Sequence, residues 1–220
     1  MFEDKAMITA FPPVERADPE TGLLAVGGDL EVESLLLAYR SGIFPWPIPG
    51  QPVLWFAPAR RAILEFSELH IPKRLARTLR RAPFRFAVDR DFEQVIRRCA
   101  ANPNRKRSSG TWITDEMISA YVRFHEAGFA HSFETYDEQD RLVGGLYGVW
   151  LGKFFAGESM FFLRTDASKF ALIQAVAHLR AHGLTWMDVQ VLSPFLKRFG
   201  AREVERAVFM QKLQRALRSV

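Results

Sequence analysis

Residues 143–162, VGGLYGVWLGKFFAGESMFF, constrain this chain more than any other stretch. Their aromatic and β-branched residues predict two strands, and Leu151-Gly152 between them predicts a tight turn. One carboxylate, Glu158, lies among phenylalanines and methionine in the second strand. Because an unpaired charge in apolar surroundings is costly, Glu158 needs a partner. We expect the rest of the chain to supply one.

The composition indicates an ordinary soluble chain of 220 residues, with 48% hydrophobic and 25% charged residues. This length allows one large domain, or a small one plus a medium one. The single cysteine, Cys99, lies in a segment that predicts a buried helix face, which suits a reducing compartment. No apolar run approaches the roughly 20 residues of a membrane span, and no signal peptide is recognisable. We therefore expect a cytoplasmic protein.

The order of predicted elements indicates the fold class. Residues 1–59 are rich in proline and glycine and predict one helix, with Asp29 as N-cap and Gly42 after its end. From Arg60 onward strands and helices alternate, and residues 130–161 predict an antiparallel meander. A helix, a strand over residues 185–192, a short helix and a closing helix over residues 205–218 follow. This order predicts an α+β or mixed α/β fold with one central sheet.

The segment IPKRLARTLRRAP predicts a helix with a strongly basic face, which begins with Pro72 at its first position. At about 100° per residue, five cations fall within an arc of roughly 120° and the leucines face the other way. These cations are Lys73, Arg74, Arg77, Arg80 and Arg81. A solvated face is the common alternative, but five cations without an interleaved acid are better explained by phosphates. A second basic group, Arg105-Lys106-Arg107, lies in a loop and is weaker evidence.

The strand TWMDVQVL carries two polar residues on one face. Because side chains alternate along a strand, Asp188 and Gln190 point to the same side. The two could lie on an exposed sheet edge. A strand between a helix and a proline-started helix is more typical of the interior, where such a polar face lines a cleft.

Other chemical motifs are missing from the sequence. His178 and His182 have i, i+4 spacing, but no HExxH glutamate or nearby third ligand accompanies them, and the other histidines are scattered. We therefore expect no metal site, and a surface helix at this histidine pair. The chain has no GxSxG nucleophile motif and no phosphate-binding or dinucleotide-binding glycine pattern. Any chemistry must depend on positioning and hydrogen bonding, without a cofactor.

Several ordered segments carry a family resemblance: GLLAVGGDL, LLLAYRSGIFPW, LWFAPARRAIL, GTWIT, AYVRFHEAGFAHSFE, LVGGLYGV, FAGESMF, ASKFAL and MDVQVL. Together, over about residues 22–200, they resemble the bacterial leucyl/phenylalanyl-tRNA protein transferases. The resemblance implies a small N-terminal domain, residues 1–60, and a GNAT-like acyltransferase domain, residues 61–220, with a central, mostly antiparallel sheet flanked by helices. Such enzymes transfer leucine or phenylalanine, and methionine less well, from aminoacyl-tRNA to the N-terminal Arg or Lys of a protein. The product is marked for degradation.

The same resemblance implies roles for individual residues. Asp188 and Gln190 match the catalytic pair, with Gln190 near the attacking α-amine and Asp188 holding or polarising it. Whether they move a proton or only position the amine stays open. Glu158 would pair with the cationic side chain of the acceptor's first residue. The other implied substrate-binding residues are Tyr39, Trp55, Trp112, Tyr121, Phe155 and Met160.

The implied partners are aminoacyl-tRNA and a protein or peptide that begins with Arg or Lys. The basic helix would hold tRNA phosphates largely without regard to sequence. The resemblance implies no metal, no cofactor, no membrane and a monomeric enzyme.

Two other functions stay open at the level of sequence. A GNAT enzyme that uses acyl-CoA would usually have a glycine-containing pyrophosphate loop, and FFLRTDASKFAL has no glycine. A non-catalytic RNA-binding module would explain the basic helix. It would leave Glu158, Asp188 and Gln190 without a role.

Overall fold

The computed structural model describes residues 7–48, 50–101 and 112–218. Its strands are β1 (Leu23–Val26), β2 (Phe44–Pro45), β3 (Leu54–Phe56), β4 (Arg60–Glu65), β5 (Arg85–Val88), β6 (Ala130–Tyr136), β7 (Leu142–Leu151), β8 (Phe154–Phe162), β9 (Trp186–Gln190) and β10 (Arg202–Glu205). Its α-helices are α1 (Val32–Arg40), α2 (Lys73–Arg81), α3 (Phe92–Ala100), α4 (Asp115–Glu126), α5 (Ala167–Ala181), α6 (Pro194–Arg198) and α7 (Arg206–Arg218).

The strands form two sheets. A three-stranded sheet of order β1-β3-β2 belongs to the N-terminal part of the chain. The central sheet has seven strands in the order β10-β4-β9-β8-β7-β6-β5. Its neighbouring strands are antiparallel except for the parallel pair β8 and β9. The prediction of an α+β chain with a central, mostly antiparallel sheet is confirmed.

The central sheet is covered on both faces. On β7, Tyr147 and Val149 belong to one hydrophobic cluster with residues of α3, α4 and α7, and Leu146 belongs to a second cluster with residues of α5. Because successive side chains of a strand point to opposite faces, burial on both sides explains the continuous apolar run of β7. The first cluster also contains Trp55 of the N-terminal sheet, so the two sheets share a core. The division at residue 60 stays a prediction.

Local signals placed most helices correctly. Thr114 is the N-cap of α4, since its Oγ1 accepts a hydrogen bond from the Met117 N–H at 3.2 Å. The basic helix α2 is present, but Pro72 is its N-cap and not its first helical residue. The prediction of Asp29 as N-cap of α1 is wrong, because its carboxylate accepts from the Glu31 N–H at 2.9 Å in the preceding turn.

The sequence patterns missed several short strands. The three strands of the N-terminal sheet have two to four residues each, too few to show alternation among the prolines. Strand β10 was also missed; it pairs with β4 just before the closing helix. No helix in the described ranges is both long and apolar enough to cross a membrane.

Candidate active site

The candidate site lies where β8 and β9 separate. The two strands pair at Ala156 and Asp188, and a cavity opens between them beyond this point. Glu158 and Gln190 each follow two residues later. The Gln190 Nε2 donates a hydrogen bond to the Glu158 carboxylate at 2.9 Å. The fold therefore brings together two predicted site residues that lie on different strands.

Asp188, the third predicted polar residue, is buried and paired with Arg61. The Arg61 Nε and Nη2 donate to its two carboxylate oxygens at 2.9 and 2.7 Å. The two side chains are only 2% and 0% exposed. The Gln190 backbone N–H donates to the same carboxylate at 2.9 Å. Asp188 therefore acts on Gln190 through its backbone and does not line the cavity.

Arg61 was not singled out from the sequence. Its guanidinium lies over the rings of Phe44 and Phe209, at 4.5 and 4.6 Å from their centroids, and donates to the Gly42 carbonyl at 3.1 Å. These contacts join the N-terminal segment and α7 to the sheet. The available signal was a cation directly before the apolar residues 62–64 of this strand, which needs a carboxylate if it is buried, for the same reason that Glu158 needs a partner.

Gln190 has an unusual backbone conformation. Its φ is 52°, and the Val191 N–H donates to the Val189 carbonyl at 2.6 Å. A left-handed conformation at a residue other than glycine costs about 1–3 kcal/mol, and persists only where surrounding contacts enforce it. The bond from its N–H to Asp188 is one such contact. This turn ends β9 and aims the Gln190 amide at Glu158.

Two buried tyrosines, Tyr39 and Tyr121, lie close to Glu158. The Tyr39 hydroxyl is hydrogen-bonded to the Tyr121 hydroxyl and lies near enough to the Glu158 carboxyl to affect its pKa. Burial raises the pKa of Glu158 to about 8, while the Tyr39 hydroxyl acts in the opposite direction. Burial and the Glu158 charge raise the pKa of both tyrosines well above its usual value. The phenols therefore stay protonated and can donate.

The cavity beside this network has a volume of about 100 Å³. Its walls are mostly apolar, and Glu158 and Gln190 provide polar groups. The apolar lining residues come from β7, β8, α5, β9 and α6: Leu146, Met160, Leu172, Met187, Val189 and Leu196. Such a site suits an apolar side chain whose polar end contacts the two polar residues.

The remaining predicted pocket residues take different positions. Met160 lines the cavity, whereas Phe155 is fully buried and packs edge-on against Phe133, with centroids 5.5 Å apart. Trp55 is also fully buried, and its Nε1 donates to the Gly27 carbonyl at 2.8 Å. Tyr39 and Tyr121 reach the site only through Glu158. Their substrate-binding roles stay predictions.

An aromatic pair lies on the other side of Arg61. Trp112 stacks on Trp46, with centroids 5.0 Å apart, and Trp46 is 37% exposed. Trp46 in turn contacts Phe44, the ring beneath the Arg61 guanidinium. The pair offers a flat aromatic surface connected to the site. The family resemblance implied a role for Trp112, and the structure adds Trp46 as its stacking partner.

The predicted tRNA-binding cations all lie on the exposed surface of α2. None of them forms an ion pair with a residue in the described part of the chain. The face is therefore available to an anionic partner. The loop cations Arg105, Lys106 and Arg107 lie outside the described residues.

Three histidines lie around one tryptophan ring. His178 and His182 lie on α5 with ring centroids 4.4 Å apart, and both contact the Trp150 ring. His131 contacts the same ring and is bonded through Nδ1 to Asp89 at 2.7 Å. Within the described ranges, no three histidine, cysteine or acidic side chains are arranged to hold a metal ion.

Removing one charge of the buried Arg61–Asp188 pair tests how much the pair contributes to stability. We expect Arg61→Met to lower the free energy of unfolding by about 3–5 kcal/mol, because it leaves Asp188 buried without a counterion. Removing both charges, in Arg61→Met with Asp188→Leu, should recover most of this loss. Urea unfolding measures both. The control is Arg60→Met, since Arg60 pairs only with exposed glutamates and should change stability little. A double variant as unstable as the single one would contradict this reading.

Comparisons with known proteins match the chain to one family. The family model described as leucyl/phenylalanyl-tRNA protein transferase matches residues 63–214, and the model for the N-terminal domain of the same family matches residues 28–59. A relative from Anaeromyxobacter dehalogenans, named leucyl/phenylalanyl-tRNA protein transferase, is 54% identical over 94% of this chain and 88% of its own. A relative of the same name from Chromobacterium violaceum is 46% identical over 94% of this chain and 91% of its own.

Solved structures show a more distant similarity. The crystal structure of FemX matches 79% of this chain and 66% of its own, with 11% identity and a TM-score of 0.49. The structure of L-PGS from Bacillus licheniformis matches 85% of this chain and 70% of its own, with 13% identity and a TM-score of 0.46. The two family models and the identity over nearly the whole length decide the assignment. The chain belongs to the leucyl/phenylalanyl-tRNA protein transferase family.

Proposed function

We propose that this protein transfers leucine or phenylalanine from an aminoacyl-tRNA to the N-terminal Arg or Lys of an acceptor protein. The observation that carries the proposal is the contact between Glu158 and Gln190 beside an apolar cavity. An apolar wall suits the transferred side chain, and a carboxylate suits a cationic first residue. The relatives' names supply the aminoacyl-tRNA donor. Methionine, whose side chain is also apolar, would be a poorer donor.

The reaction forms one peptide bond and breaks one ester bond. The acceptor's α-amine attacks the aminoacyl carbonyl, the ribose hydroxyl leaves, and the proton lost by the amine returns to that oxygen. The Gln190 amide carries a carbonyl that can accept from the amine while its NH₂ group donates to Glu158. Both oxygens of Asp188 are already bonded to Arg61. This favours positioning, by Gln190 directly and by Asp188 through it, over proton transfer.

Positioning alone can provide much of the acceleration. An aminoacyl ester is already reactive towards an amine, and aligning the two reactants lowers the barrier by several kcal/mol in well-oriented systems. The ester also stores the free energy of the reaction, so the proposed transfer needs no cofactor.

The nucleic-acid donor would contact two surfaces. The cations of α2 would hold phosphates of the tRNA, because they are exposed and unpaired among the described residues. The stacked rings of Trp46 and Trp112 offer a surface on which a terminal base can stack. Phe44 and Arg61 connect this surface to Gln190 through Asp188. The proposal thus explains the basic helix and the aromatic pair together.

In the cell, the proposed reaction would take place in the cytoplasm, where charged tRNA is available. The protein would act as a monomer, since the proposed site is built from one chain. The acceptor would gain a new N-terminal leucine or phenylalanine, which would mark it for degradation.

A transfer assay tests the proposal directly. With phenylalanyl-tRNA charged with labelled phenylalanine, we expect the purified protein to label a peptide that begins with Arg and to leave the same peptide beginning with Glu unlabelled. A cationic first side chain can pair with the ionised Glu158, whereas an anionic first side chain cannot. Transfer to neither peptide would overturn the proposed function. Transfer from acetyl-CoA in place of the charged tRNA would support the acyl-CoA alternative instead.

The pKa of Glu158 predicts a proton release. With a pKa of about 8, the Glu158 carboxyl of the unoccupied site is mostly protonated at pH 7. A bound cationic side chain lowers that pKa, so binding an Arg-started peptide should release a proton at pH 7 and none well above pH 8. Calorimetry in buffers of different ionisation enthalpy measures this release.

The matched control for this measurement is Glu203→Gln, which removes an exposed glutamate. It should keep the release, whereas Glu158→Gln should abolish it. An equal release at pH 7 from the Glu158→Gln variant would show that another group titrates.

A further inference from the structure

A larger cavity lies outside the proposed active site, between α2 and the connection from β8 to α5. Its volume is about 710 Å³, within the roughly 300–1,000 Å³ typical of ligand sites. Arg77 and Arg81 line it from α2, Phe84 lines it from the segment after that helix, and Leu163 and Arg164 line it from the end of β8. We call this cavity the α2 trough.

The charges of the α2 trough favour an anion. Three arginines line it against one carboxylate among the described lining residues, Asp166, and that carboxylate is bonded to Lys169 at 2.6 Å. Arg77 and Arg81 form no ion pair with a described residue. Phosphates of a nucleic acid are the anions that such an arginine group binds best.

Arg164 is held in place at one wall of the trough. It donates through Nη1 to Glu138 at 2.8 Å, the same nitrogen lies 3.8 Å from the Asp137 carboxylate, and its guanidinium lies 5.3 Å from the centroid of the Phe84 ring. Phe84 is itself packed against Phe170, with centroids 5.6 Å apart. The side chain of Arg164 remains 38% exposed. An arginine fixed against an aromatic ring, with free N–H groups, presents a preorganised donor to a phosphate.

The neighbouring cavity shows why the trough is the better phosphate site. That cavity has a volume of about 640 Å³ and shares Leu163 and Arg164 with the trough. Arg90 pairs with Asp140 and Arg141 pairs with Asp137, while Arg98 forms no ion pair with a described residue. This cavity therefore has one such arginine and three carboxylates, Asp91, Asp137 and Asp140, in its wall, whereas the trough has two such arginines, Arg77 and Arg81, and one carboxylate. The positive charge is greater on the α2 side.

Strand β8 connects the trough to the proposed active site. Glu158 and Leu163 are five residues apart, which corresponds to about 17 Å of extended chain. A stacked nucleic-acid strand rises roughly 3.4 Å per nucleotide, so this distance corresponds to about five nucleotides. A strand whose 3′ end carries the aminoacyl group at Glu158 and Gln190 could therefore place its earlier phosphates in the trough.

We propose that Arg164, which lies across the α2 trough from the basic helix, binds a phosphate of the acceptor end of the aminoacyl-tRNA and so links the basic helix to the active site. This inference rests on the proposed function. It assigns a phosphate contact to a residue that lies outside the basic face of α2.

The test measures binding of phenylalanyl-tRNA against salt concentration for four proteins: the unaltered chain and the variants Arg164→Gln, Arg164→Lys and Arg123→Gln. Arg123 is the matched control, a part-exposed arginine of α4 that is also bonded to a single glutamate. We expect Arg164→Gln to weaken binding about tenfold at low salt and to reduce the slope of log K against log salt by roughly 0.7–0.9, the value of one phosphate contact. Arg164→Lys should keep most of the slope.

A second aminoacyl donor, without phosphates, distinguishes failure of the proposed role of Arg164 from failure of the proposed function. Phenylalanine esterified to adenosine has no phosphates, so Arg164→Gln should lose more transfer from phenylalanyl-tRNA than from this small donor. Equal slopes for Arg164→Gln and Arg123→Gln, or equal losses with the two donors, would overturn the role of Arg164. Absence of transfer by the unaltered protein from both donors would instead overturn the proposed function.

Discussion

The buried ion pair between Arg61 and Asp188 is the interaction on which the site depends. Two charges inside a protein are stable only when each is fully hydrogen-bonded, and both oxygens of this carboxylate accept from the guanidinium. The same guanidinium contacts Phe44 and Phe209, so it fixes the N-terminal segment and α7 against the sheet. The carboxylate in turn holds the backbone of Gln190 in its turn. A structural pair thus determines where a functional amide points.

The resulting site is suited to aligning reactants and recognising charge. Gln190 cannot titrate, and Asp188 is occupied by its counterion, so the geometry favours positioning of the acceptor amine. Burial raises the pKa of Glu158 to about 8, so in the proposed function its protonation would respond to a cationic ligand. A cation that enters the site compensates for this burial, so recognition of a basic residue and ionisation of the carboxyl are coupled.

Local patterns in the sequence predicted the secondary-structure elements whose residues are close together in the chain. Strand alternation and turn residues predicted the meander, and helical periodicity predicted the basic face of α2. The need of Glu158 for a partner was also correct, but the sequence did not identify Gln190 or Tyr39 as that partner. Arg61 and Asp188 are 127 residues apart, and the convergence of histidines around Trp150 joins separate elements. Such contacts depend on the order of strands in the sheet. The spacing of residues within one element does not predict that order.

The central claim is that a carboxylate at the mouth of an apolar cavity selects a basic first residue for aminoacyl transfer. The most direct measurement is the ratio of kcat/KM for phenylalanine transfer to two peptides that begin with Arg or with citrulline, its uncharged isostere. The account predicts that the Arg peptide is preferred at least about tenfold, as expected for loss of one charge-assisted contact. Equal values for the two peptides would contradict it.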